Sequence, residues 1–367
     1  MSDHRYEIIA TFRGFRPLTI LNGRVVGCRG NRLVSTDLNF SDVQVLGTLP
    51  WPTGWRRVAR VARLLERVLR LQPTSAAVFF NELHLVCRNE IHRFCFLSRS
   101  WKPPLVLPLR VTALRLDEIV INGQRCLAFG EYLSNPKRNP VGVWLLRRGG
   151  FWERHEAFER GVIEHVHSIQ MLGDKPVVLT GDFRSAAGFW TLNDKSMSVE
   201  RVSPTTQLFR ATFLMNFKDG PTFYGTDSQL DANFIVRLRT NNGLISGTPE
   251  IPLIGSVIYG ARSASNWFFS TTVECGEPTG KFVRDLFDSN RGPGILSDNA
   301  SAYELSRSGG LASILSATKD RYPFRLGQFG TFAFPSGTMP PGRAILYGIG
   351  LVEYDDVAIL VAKKPEI

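Results

Sequence analysis

Cysteine pairs, long apolar runs and a secretion signal are missing from this sequence, and each absence excludes a class of protein. Five cysteines are present, an odd number without a Cys-x-x-Cys pair, which predicts reduced core residues rather than a disulfide framework or a zinc site. No window reaches the roughly 18 apolar residues of a membrane span. The start, MSDHRYEIIATFRGF, carries charges where a signal peptide is apolar. These absences predict a cytoplasmic protein.

Motifs of nucleotide and nucleic-acid chemistry are also missing. The sequence has no P-loop, dinucleotide fingerprint or Gly-x-Ser-x-Gly nucleophile motif, so no cofactor is expected. It has no zinc-knuckle spacing, RNA-recognition signature or long Lys/Arg run, which disfavours nucleic acid as a partner. The formal net charge of +11 still favours an anionic partner, and an acidic glycan or an acidic lipid surface remains.

Short β-type runs, cut by Gly, Asn, Asp and Pro, fill almost the whole chain and repeat in groups of four. The third group is the clearest, with runs at 116–123, 125–132, 141–148 and 152–158. About seven such groups predict one all-β domain over residues 1–367, a β-propeller of seven four-stranded blades. Six or eight blades stay open, because the first, second and seventh groups are weak. The seventh group has only three runs, and the N-terminal RYEIIATF is predicted to complete it.

Residues 55–71 break the β pattern with a helical period. The apolar side of this helix consists of Val58, Val61, Leu65 and Leu69. Another side carries Arg56, Arg60, Arg63, Arg67 and Arg70. We predict a basic amphipathic helix inserted between blades one and two. It is interpreted either as an anchor on anionic lipid, peripheral to the inner membrane, or as a surface helix with solvated arginines.

Acidic residues recur about every 45 to 51 residues, at the ends of the second strands of four blades. The sequences are GEY, TGD, GTD and TVE, and the residues are Glu131, Asp182, Asp227 and Glu274. Equivalent positions of a propeller lie on one face, so four carboxylates are expected around one mouth. Paired carboxylates suit acid and base roles in glycoside cleavage. The alternative is a structural turn, since Asp after Thr-Gly often bonds its own backbone.

Cationic and imidazole side chains are predicted on the same face. Arg29 and Arg88 occupy the equivalent position in blades one and two, and Arg210 begins an inner strand. A guanidinium is the natural partner of a substrate carboxylate. His165 and His167 form a His-x-His whose side chains point to one side of a strand, as a general base or a substrate donor requires. A third metal ligand is not evident, so no metal is predicted.

The order of these motifs resembles one group of propeller proteins. GEY is followed by the Asn-Pro-x-Arg of residues 135–138, then by His-x-His, TGD, an aromatic-Arg pair, GTD and Thr-x-Glu, all between Gly130 and Glu274. The tail KDRYPFRLGQFGTFAFPSG at 319–337 fits the same group. Over about residues 120–340 the chain is similar to the sialidase-like, BNR-repeat propellers of bacterial surface-polysaccharide gene clusters. It departs from them in the Asp-box turns, of which only parts remain. The resemblance implies a role in glycan metabolism.

Two main functions follow from these residues and from the resemblance. The first is a hydrolase or lyase acting on an acidic polysaccharide or oligosaccharide. Its predicted catalytic residues are Glu131, Asp182, Asp227, Glu274 and His167, and its predicted substrate-binding residues are His165, Arg210, Arg88, Arg29 and Arg138. The alternative is a non-catalytic propeller that binds a glycan or a protein of polysaccharide biosynthesis. A propeller that serves only as a protein-interaction platform, with the acids as turn residues, is a third hypothesis.

Overall fold

Antiparallel β-sheets account for most of the chain, as seen in a computed structural model that describes residues 5–51, 62–181, 186–277 and 279–365. Within these residues there are seven sheets, six with four strands and one with an additional short fifth strand. The sheets are the blades of a β-propeller. The predicted fold class and the predicted seven blades are therefore confirmed.

The strands are numbered in chain order, and the first, β1 (Tyr6–Arg13), belongs to the last blade. Blade one consists of β2 (Phe15–Leu21), β3 (Arg24–Arg29), β4 (Arg32–Thr36) and β5 (Val43–Thr48), and blade two of β6 (Ser75–Phe79), β7 (Glu82–Cys87), β8 (Glu90–Cys95) and β9 (Ser100–Val106). Blade three consists of β10 (Asp117–Ile121), β11 (Gln124–Gly130), β12 (Val141–Arg147) and β13 (Trp152–Phe158). Blade four consists of β14 (His165–Leu172), β15 (Lys175–Gly181), β16 (Gly188–Leu192) and β17 (Val199–Arg201).

The remaining blades follow the same plan, and blade six has the additional strand, which lies parallel to its first one. Blade five consists of β18 (Met215–Asn216), β19 (Thr222–Gly225), β20 (Asn233–Asn241) and β21 (Leu244–Leu253). Blade six consists of β22 (Ser256–Ser263), β23 (Trp267–Thr272), β24 (Asn299–Leu305) and β25 (Leu311–Thr318), with β27 (Thr338–Met339) as the additional strand. Blade seven consists of β26 (Thr331–Ala333), β28 (Arg343–Ile349), β29 (Val357–Lys363) and β1.

The blades fall into two compact units. Unit 1 contains Met1–Gln72, Gln229–Ala232 and Leu253–Ile367, and thus blades one, six and seven. Unit 2 contains Pro73–Ser228 and Asn233–Pro252, and thus blades two to five.

Polar and apolar residues alternate along the strands and decide which side faces the core. In β10, Ile119 and Ile121 are buried, whereas Glu118, which precedes Ile119, is exposed. This alternation is the period of two that a strand requires. Ile119 packs in one apolar cluster with Ile169 and Val178 of blade four. Adjacent blades of unit 2 thus share a core, which is how repeated units that cannot bury an apolar face alone become stable.

Blade seven joins two distant parts of the sequence. β1 lies antiparallel beside β29, with Tyr6 opposite Lys363 and Arg13 opposite Val357. The sheet order is β1-β29-β28-β26, so the RYEIIATF run completes the last blade, as predicted. Beyond the strands, the backbone N–H of Lys364 donates to the carbonyl of Arg5 over 2.8 Å. The β29 edge is therefore paired rather than open.

The fourth strand of blade two lies earlier than the sequence predicts. The expected run is 105–109, whereas β9 begins at Ser100 and includes Pro103 and Pro104. Proline has no N–H to donate, but the outer edge of a sheet tolerates it. The two prolines thus do not end the strand.

The inner strand of blade five is shorter than predicted. The expected run is 209–217, whereas only β18 is regular there. A turn of 3-10 helix at Gln207–Phe209 and a single bridge between Ala211 and Thr226 replace its first half.

Three short helices are present in the described part of unit 1: α1 (Arg63–Val68), α2 (Phe282–Leu286) and α3 (Phe324–Gly327). α1 follows β5 and precedes β6, where the inserted helix is predicted. Residues 52–61, which include Arg56 and Arg60, lie outside the described residues. None of the helices in the described ranges is long and apolar enough to cross a membrane. All five cysteines are free, as predicted, and Cys95 is half-buried while the other four are buried.

The charged side of α1 points inward, contrary to the interpretation with solvated arginines. Glu66 and Arg67 are 8% and 3% exposed, whereas Leu64 and Leu65 are 43% and 49% exposed. Arg67 donates to Asp320 over 2.6 Å. That interpretation is therefore wrong for Arg67, because a charge-assisted hydrogen bond to a carboxylate replaces its contact with water.

Candidate functional site

Two histidines at the start of blade four form the centre of a polar cluster in unit 2. β14 begins at His165, which lies opposite Gly181 at the end of β15. The register shifts between Val166 and Ser168, so His167 is the additional residue of a β-bulge. Bulges re-aim side chains and are frequent beside functional sites. Here the two Nε2 atoms lie 3.2 Å apart.

Hydrogen bonding defines the tautomers of the histidine pair. Nδ1 of His167 lies 2.9 Å from the carbonyl of Ala211 and must donate, because a carbonyl only accepts. Nε2 of a neutral His167 therefore carries the lone pair, and His165 donates to it. Burial first, and the positive charge of Arg210 second, lower the pKa of His167 to about 3. Burial first, and then His167 and Arg210, hold the pKa of His165 well below its usual value, so both rings are neutral at pH 7.

An arginine and a carboxylate lie beside the histidines. Arg210 and Asp227 are 7% and 4% exposed. Oδ2 of Asp227 is 3.7 Å from Nε of Arg210 and 3.8 Å from Nε2 of His167. The backbone N–H of Asp227 donates to the carbonyl of Arg210 over 2.9 Å, which places the two residues opposite each other. The carboxylate thus lies between a guanidinium and an imidazole.

An asparagine holds the GTD turn. Oδ1 of Asn233 accepts from the hydroxyl of Thr226 over 3.0 Å and from the N–H of Ser228 over 2.9 Å. Its amide donates to the carbonyl of Ser228 over 2.6 Å. These bonds tie the turn to the backbone of Ser228.

Tyr132 forms the accessible edge of the cluster. Its ring centroid is 4.7 Å from that of His165 and 5.9 Å from that of His167. Tyr132 and His165 are half-buried, whereas His167 is 2% exposed. Solvent therefore reaches the cluster at Tyr132 and His165. We call Tyr132, His165, His167, Arg210 and Asp227 the histidine cluster.

The Asn-Pro-x-Arg loop is tied to the chain just before the histidines. The amide of Asn135 donates to the carbonyls of Asn139 and Glu164 over 2.9 Å and 3.2 Å. Oδ1 of Asn135 accepts from the N–H of Asn139 over 3.0 Å. Arg138 has a φ of 46° in this loop and is half-buried. The loop thus places Arg138 on a rigid turn attached to the residue that precedes His165.

Glu131 is bound to its own blade instead of the histidine cluster. Its carboxylate accepts from Nε and Nη2 of Arg154 over 2.7 Å and 3.0 Å, from the Gly142 N–H over 2.7 Å and from Nε1 of Trp144 over 3.1 Å. Burial raises the pKa of Glu131, but these hydrogen bonds outweigh it and hold the pKa below its usual range. Glu131 is therefore an ionised structural tie between β12 and β13.

Of the other predicted site residues, Arg88 belongs to unit 2, and Arg29 and Glu274 belong to unit 1. Asp182 lies outside the described residues. Arg88 is exposed on the turn after β7, with a φ of 57°. Glu274 and Arg29 belong to unit 1, where Glu274 is buried and accepts from Ser256, and Arg29 is exposed with its guanidinium 4.7 Å from the ring centroid of Phe12.

Four of the predicted residues therefore come together, and one member of the cluster was missed. The predicted members are His165, His167, Arg210 and Asp227. Tyr132 follows Glu131 in the GEY motif, and the period of two sends the two side chains to opposite sides. That alternation could have indicated that Tyr132, rather than Glu131, faces the histidines. In the described ranges, no group of three or more His, Cys, Asp or Glu residues is arranged to hold a metal.

No family model matches the sequence, and no curated protein matches it either. Solved structures do match over nearly the whole chain. The extracellular domain of BT4673 from B. thetaiotaomicron has a TM-score of 0.55 and 11% identity, with 99% of this chain and 40% of that chain covered. A chain from a structure of the mitotic checkpoint complex has a TM-score of 0.56 and 11% identity, with 100% and 98% covered.

A second structure of the BT4673 extracellular domain, titled as part of a hybrid two component system, is also similar. Its TM-score is 0.53 at 10% identity, with 97% of this chain and 40% of that chain covered. The present chain thus spans about two fifths of the length of the BT4673 chains. At such low identity the likeness shows the β-propeller fold alone.

Proposed function

We propose that this protein binds an acidic glycan at the histidine cluster of unit 2. One observation supports the proposal: Tyr132 and His165, which solvent reaches, lie in the same cluster as the buried pair of Arg210 and Asp227. A tyrosine offers an apolar ring and a hydroxyl to a sugar. A guanidinium pairs with carboxylates. Together these side chains have the chemistry that recognises a uronate.

The neutral histidines suit recognition of hydroxyl groups. Because burial holds the pKa of His167 near 3, its ring adds no positive charge at neutral pH. Neutral imidazoles both donate and accept hydrogen bonds, as sugar hydroxyls do. Positive charge at the cluster therefore comes from Arg210, and the net charge of +11 attracts an anionic chain from solution.

Hydrolysis through paired carboxylates has less support than binding. A glycosidase needs two carboxyl groups beside the sugar that can give or take a proton. Glu131 is engaged by Arg154 and held in its ionised form. Glu274 belongs to unit 1 and accepts from Ser256. Among the described members of the four predicted acids, Asp227 alone belongs to the histidine cluster.

Elimination is a second candidate, favoured by the contact between Tyr132 and His165 close to Arg210. In this reaction a base takes the proton on the carbon next to the uronate carboxylate, a carbon–carbon double bond forms, and the glycosidic oxygen leaves with a proton from an acid. Neutral His165 would be the base and the Tyr132 hydroxyl the acid. Arg210 would offset the charge that develops on the carboxylate.

Calorimetric titration with uronate-containing and matched neutral oligosaccharides tests the proposal. We expect the uronate chains to bind, and Arg210→Gln to weaken that binding by roughly tenfold or more, the size of a lost charge-assisted bond. Arg148→Gln, at an exposed arginine of unit 2, is the matched control. Equal binding of acidic and neutral chains would contradict the proposal. Ultraviolet absorbance of an unsaturated product, lost in His165→Gln, would establish elimination.

The sialidase-like resemblance, the cytoplasmic location and the link to exopolysaccharide biosynthesis remain predictions that this proposal includes. Arg29, Arg88 and Arg138 remain predicted substrate contacts. Cell fractionation with an antibody to the native chain tests the location. Recovery in the secreted fraction would contradict it.

A further inference from the structure

The three short helices in the described part of unit 1 pack against one another. α1 packs against α3, and α3 packs against α2. The N–H of Phe324, which begins α3, donates to the carbonyl of Asp288 just after α2 over 3.2 Å. The side-chain amide of Gln328, just after α3, donates to the carbonyl of Arg67 in α1 over 3.3 Å. We call the solvent-facing side of these helices and their flanking residues the helical patch.

Large apolar side chains of the helical patch face the solvent. They are between 36% and 67% exposed: Leu64, Leu65, Val68, Tyr322, Val283 and Phe287. Exposed apolar residues scattered singly are ordinary, but a contiguous set on adjoining elements marks an interaction surface. We therefore expect the helical patch to contact a partner that accepts apolar side chains.

One half-buried and one buried arginine hold α1 with its apolar side outward. Arg63 donates through Nε and Nη2 to the two carboxylate oxygens of Asp355, each over 2.9 Å. Arg67 reaches Asp320 over 2.6 Å and also donates to the carbonyl of Gly327 in α3. A rotation of α1 that turned its leucines inward would break these bonds and leave buried charges unpaired, which costs several kcal/mol. The outward leucines are thus a stable feature of the fold.

The charges around these apolar residues are mainly positive. The exposed basic residues of the patch are Arg70, Lys281, Arg284, Arg321 and Arg325. Glu277 is an exposed acid on the same segments, and Asp288 is half-buried. Asp285, within α2, is turned inward, where it accepts from the Thr279 hydroxyl and N–H over 2.6 Å and 2.8 Å.

We propose that the helical patch docks on an anionic phospholipid bilayer. Apolar side chains on short surface helices, interleaved with arginine and lysine, are the composition of a surface that lies in the membrane interface. Phosphate headgroups complement the basic residues, while the acyl region accepts the leucines and Phe287. This contact differs from an anchor made by the arginine side of the helix, because Arg67 points into the protein. The proposal does not depend on glycan binding.

Vesicle flotation tests the proposal with the full chain. We expect flotation with phosphatidylcholine vesicles that contain phosphatidylglycerol, and little flotation with phosphatidylcholine alone. The double variants Val283→Ser/Phe287→Ser and Arg284→Glu/Arg325→Glu should each lower the partition coefficient by roughly tenfold or more. Because these side chains are exposed, the variants should fold. Equal flotation with both vesicle types would overturn the proposal.

Matched variants of unit 2 provide the controls. Leu97→Ser/Leu109→Ser removes apolar side chains that are 79% and 82% exposed, and Arg148→Glu reverses an exposed charge. Both should float like the unaltered protein. A loss in these controls as large as in the patch variants would show that general surface character, rather than the patch, governs binding.

Hydrogen exchange locates the contact independently. Anionic vesicles should slow exchange in segments 62–72 and 281–288 and leave β9 unchanged. Protection in unit 2 instead, or a chain that self-associates through the patch without floating, would mean that the patch is a protein interface or unused, and the proposal would be wrong.

Discussion

A Cβ atom at Gly181 would lie 1.8 Å from Nε2 of His167. The same point is 2.6 Å from Nε2 of His165, which lies opposite Gly181 in the sheet. Both imidazoles therefore occupy the space where a side chain at residue 181 would stand. The glycine of the TGD motif is required by packing, because no other residue leaves room for the histidine pair.

Replacing this glycine should disrupt the histidine cluster. For Gly181→Ala we expect a loss of about 1–3 kcal/mol in the free energy of unfolding, the usual cost of overpacking, measured by denaturant unfolding. Gly150→Ala is the control, since its nearest neighbour atom would be 3.4 Å away. Equal stability of the two variants would show that the histidines can move aside without cost.

The histidine pair should make the protein less stable as the pH falls. Folded His167 has a pKa of about 3, against about 6.5 in an unfolded chain, so between these values the unfolded state binds the extra proton. The free energy of unfolding should therefore decrease from about pH 6.5 down to about pH 3, by at most about 1.4 kcal/mol per pH unit for this residue. Denaturant unfolding over a pH series measures the slope.

His167→Asn is the matched variant for that slope. Asparagine keeps a donor for the Ala211 carbonyl but does not titrate. Its stability should depend less steeply on pH between the two pKa values. An unchanged slope would mean that His167 does not titrate differently in the folded and unfolded states.

Glu131 should contribute to stability rather than to ligand binding. Glu131→Gln removes the negative charge that Arg154 pairs with, and we expect a loss of about 1.5–3 kcal/mol with oligosaccharide affinity unchanged. Because the pKa of folded Glu131 is depressed, its contribution is complete above the ordinary glutamate pKa of about 4.3 and is lost as the pH falls through the folded pKa. Variant and unaltered protein should therefore converge in stability in acid.

An exposed glutamate beside Arg154 is the control for Glu131. Glu156, on β13 like Arg154, is 3.9 Å from Arg154 and its side chain is 56% exposed. Glu156→Gln should change the free energy of unfolding by well under about 1 kcal/mol. A larger effect from Glu156 than from Glu131 would reverse the assignment of the structural tie.

Arg67 should be one of the most sensitive charged residues of unit 1. Arg67→Met leaves the carboxylate of Asp320 without its closest guanidinium, and breaking a buried pair costs about 3–5 kcal/mol. Arg67→Met/Asp320→Asn should recover part of the loss, which a double-mutant cycle measures. Arg70→Met, at an exposed arginine, is the control. No coupling in the cycle would contradict the role of this ion pair.

Deleting β1 should open blade seven. Removal of residues 1–13 leaves the β29 edge unpaired, and we expect a lower Tm with aggregation visible by light scattering. Ile8→Lys is the control, because Ile8 is 42% exposed and its replacement leaves the strand in place. A truncated chain that stays monomeric with an unaltered Tm would show that β1 is dispensable.

The blades could be predicted because their signal is local. In β10 the alternation around Ile119 and Ile121 is written in consecutive residues, and turn residues mark where each run ends. Even the closing strand followed from counting three runs in the last group. The position of β9 was predicted less well, because its first half contains Pro103 and Pro104, which lack an N–H and are not typical of a strand.

The polar contacts could be predicted less well because their partners lie far apart in the sequence. The inward direction of Arg67 depends on Asp320, which follows β25 and lies 253 residues later in the chain. Glu131 was expected to lie with three other acids around one mouth, whereas it pairs with Arg154 on β13 of its own blade. The meeting of His167 with Asp227 was expected, because the starts of the first strands and the ends of the second strands were predicted on one face of the propeller. The spacing of the motifs thus predicted where these residues lie in the fold, but not which side chain each of them contacts.

The pairing of β1 with β29 has a consequence for how the protein is made. A ribosome synthesises the chain from its N-terminus, so β1 emerges early and its partner strand emerges only after nearly all the other blades. Throughout that interval β1 has an unsatisfied edge, and blade seven cannot form. Folding of unit 1 therefore finishes only after β29 has been synthesised, and the earlier strand must be kept from pairing with neighbouring nascent chains until that partner is present.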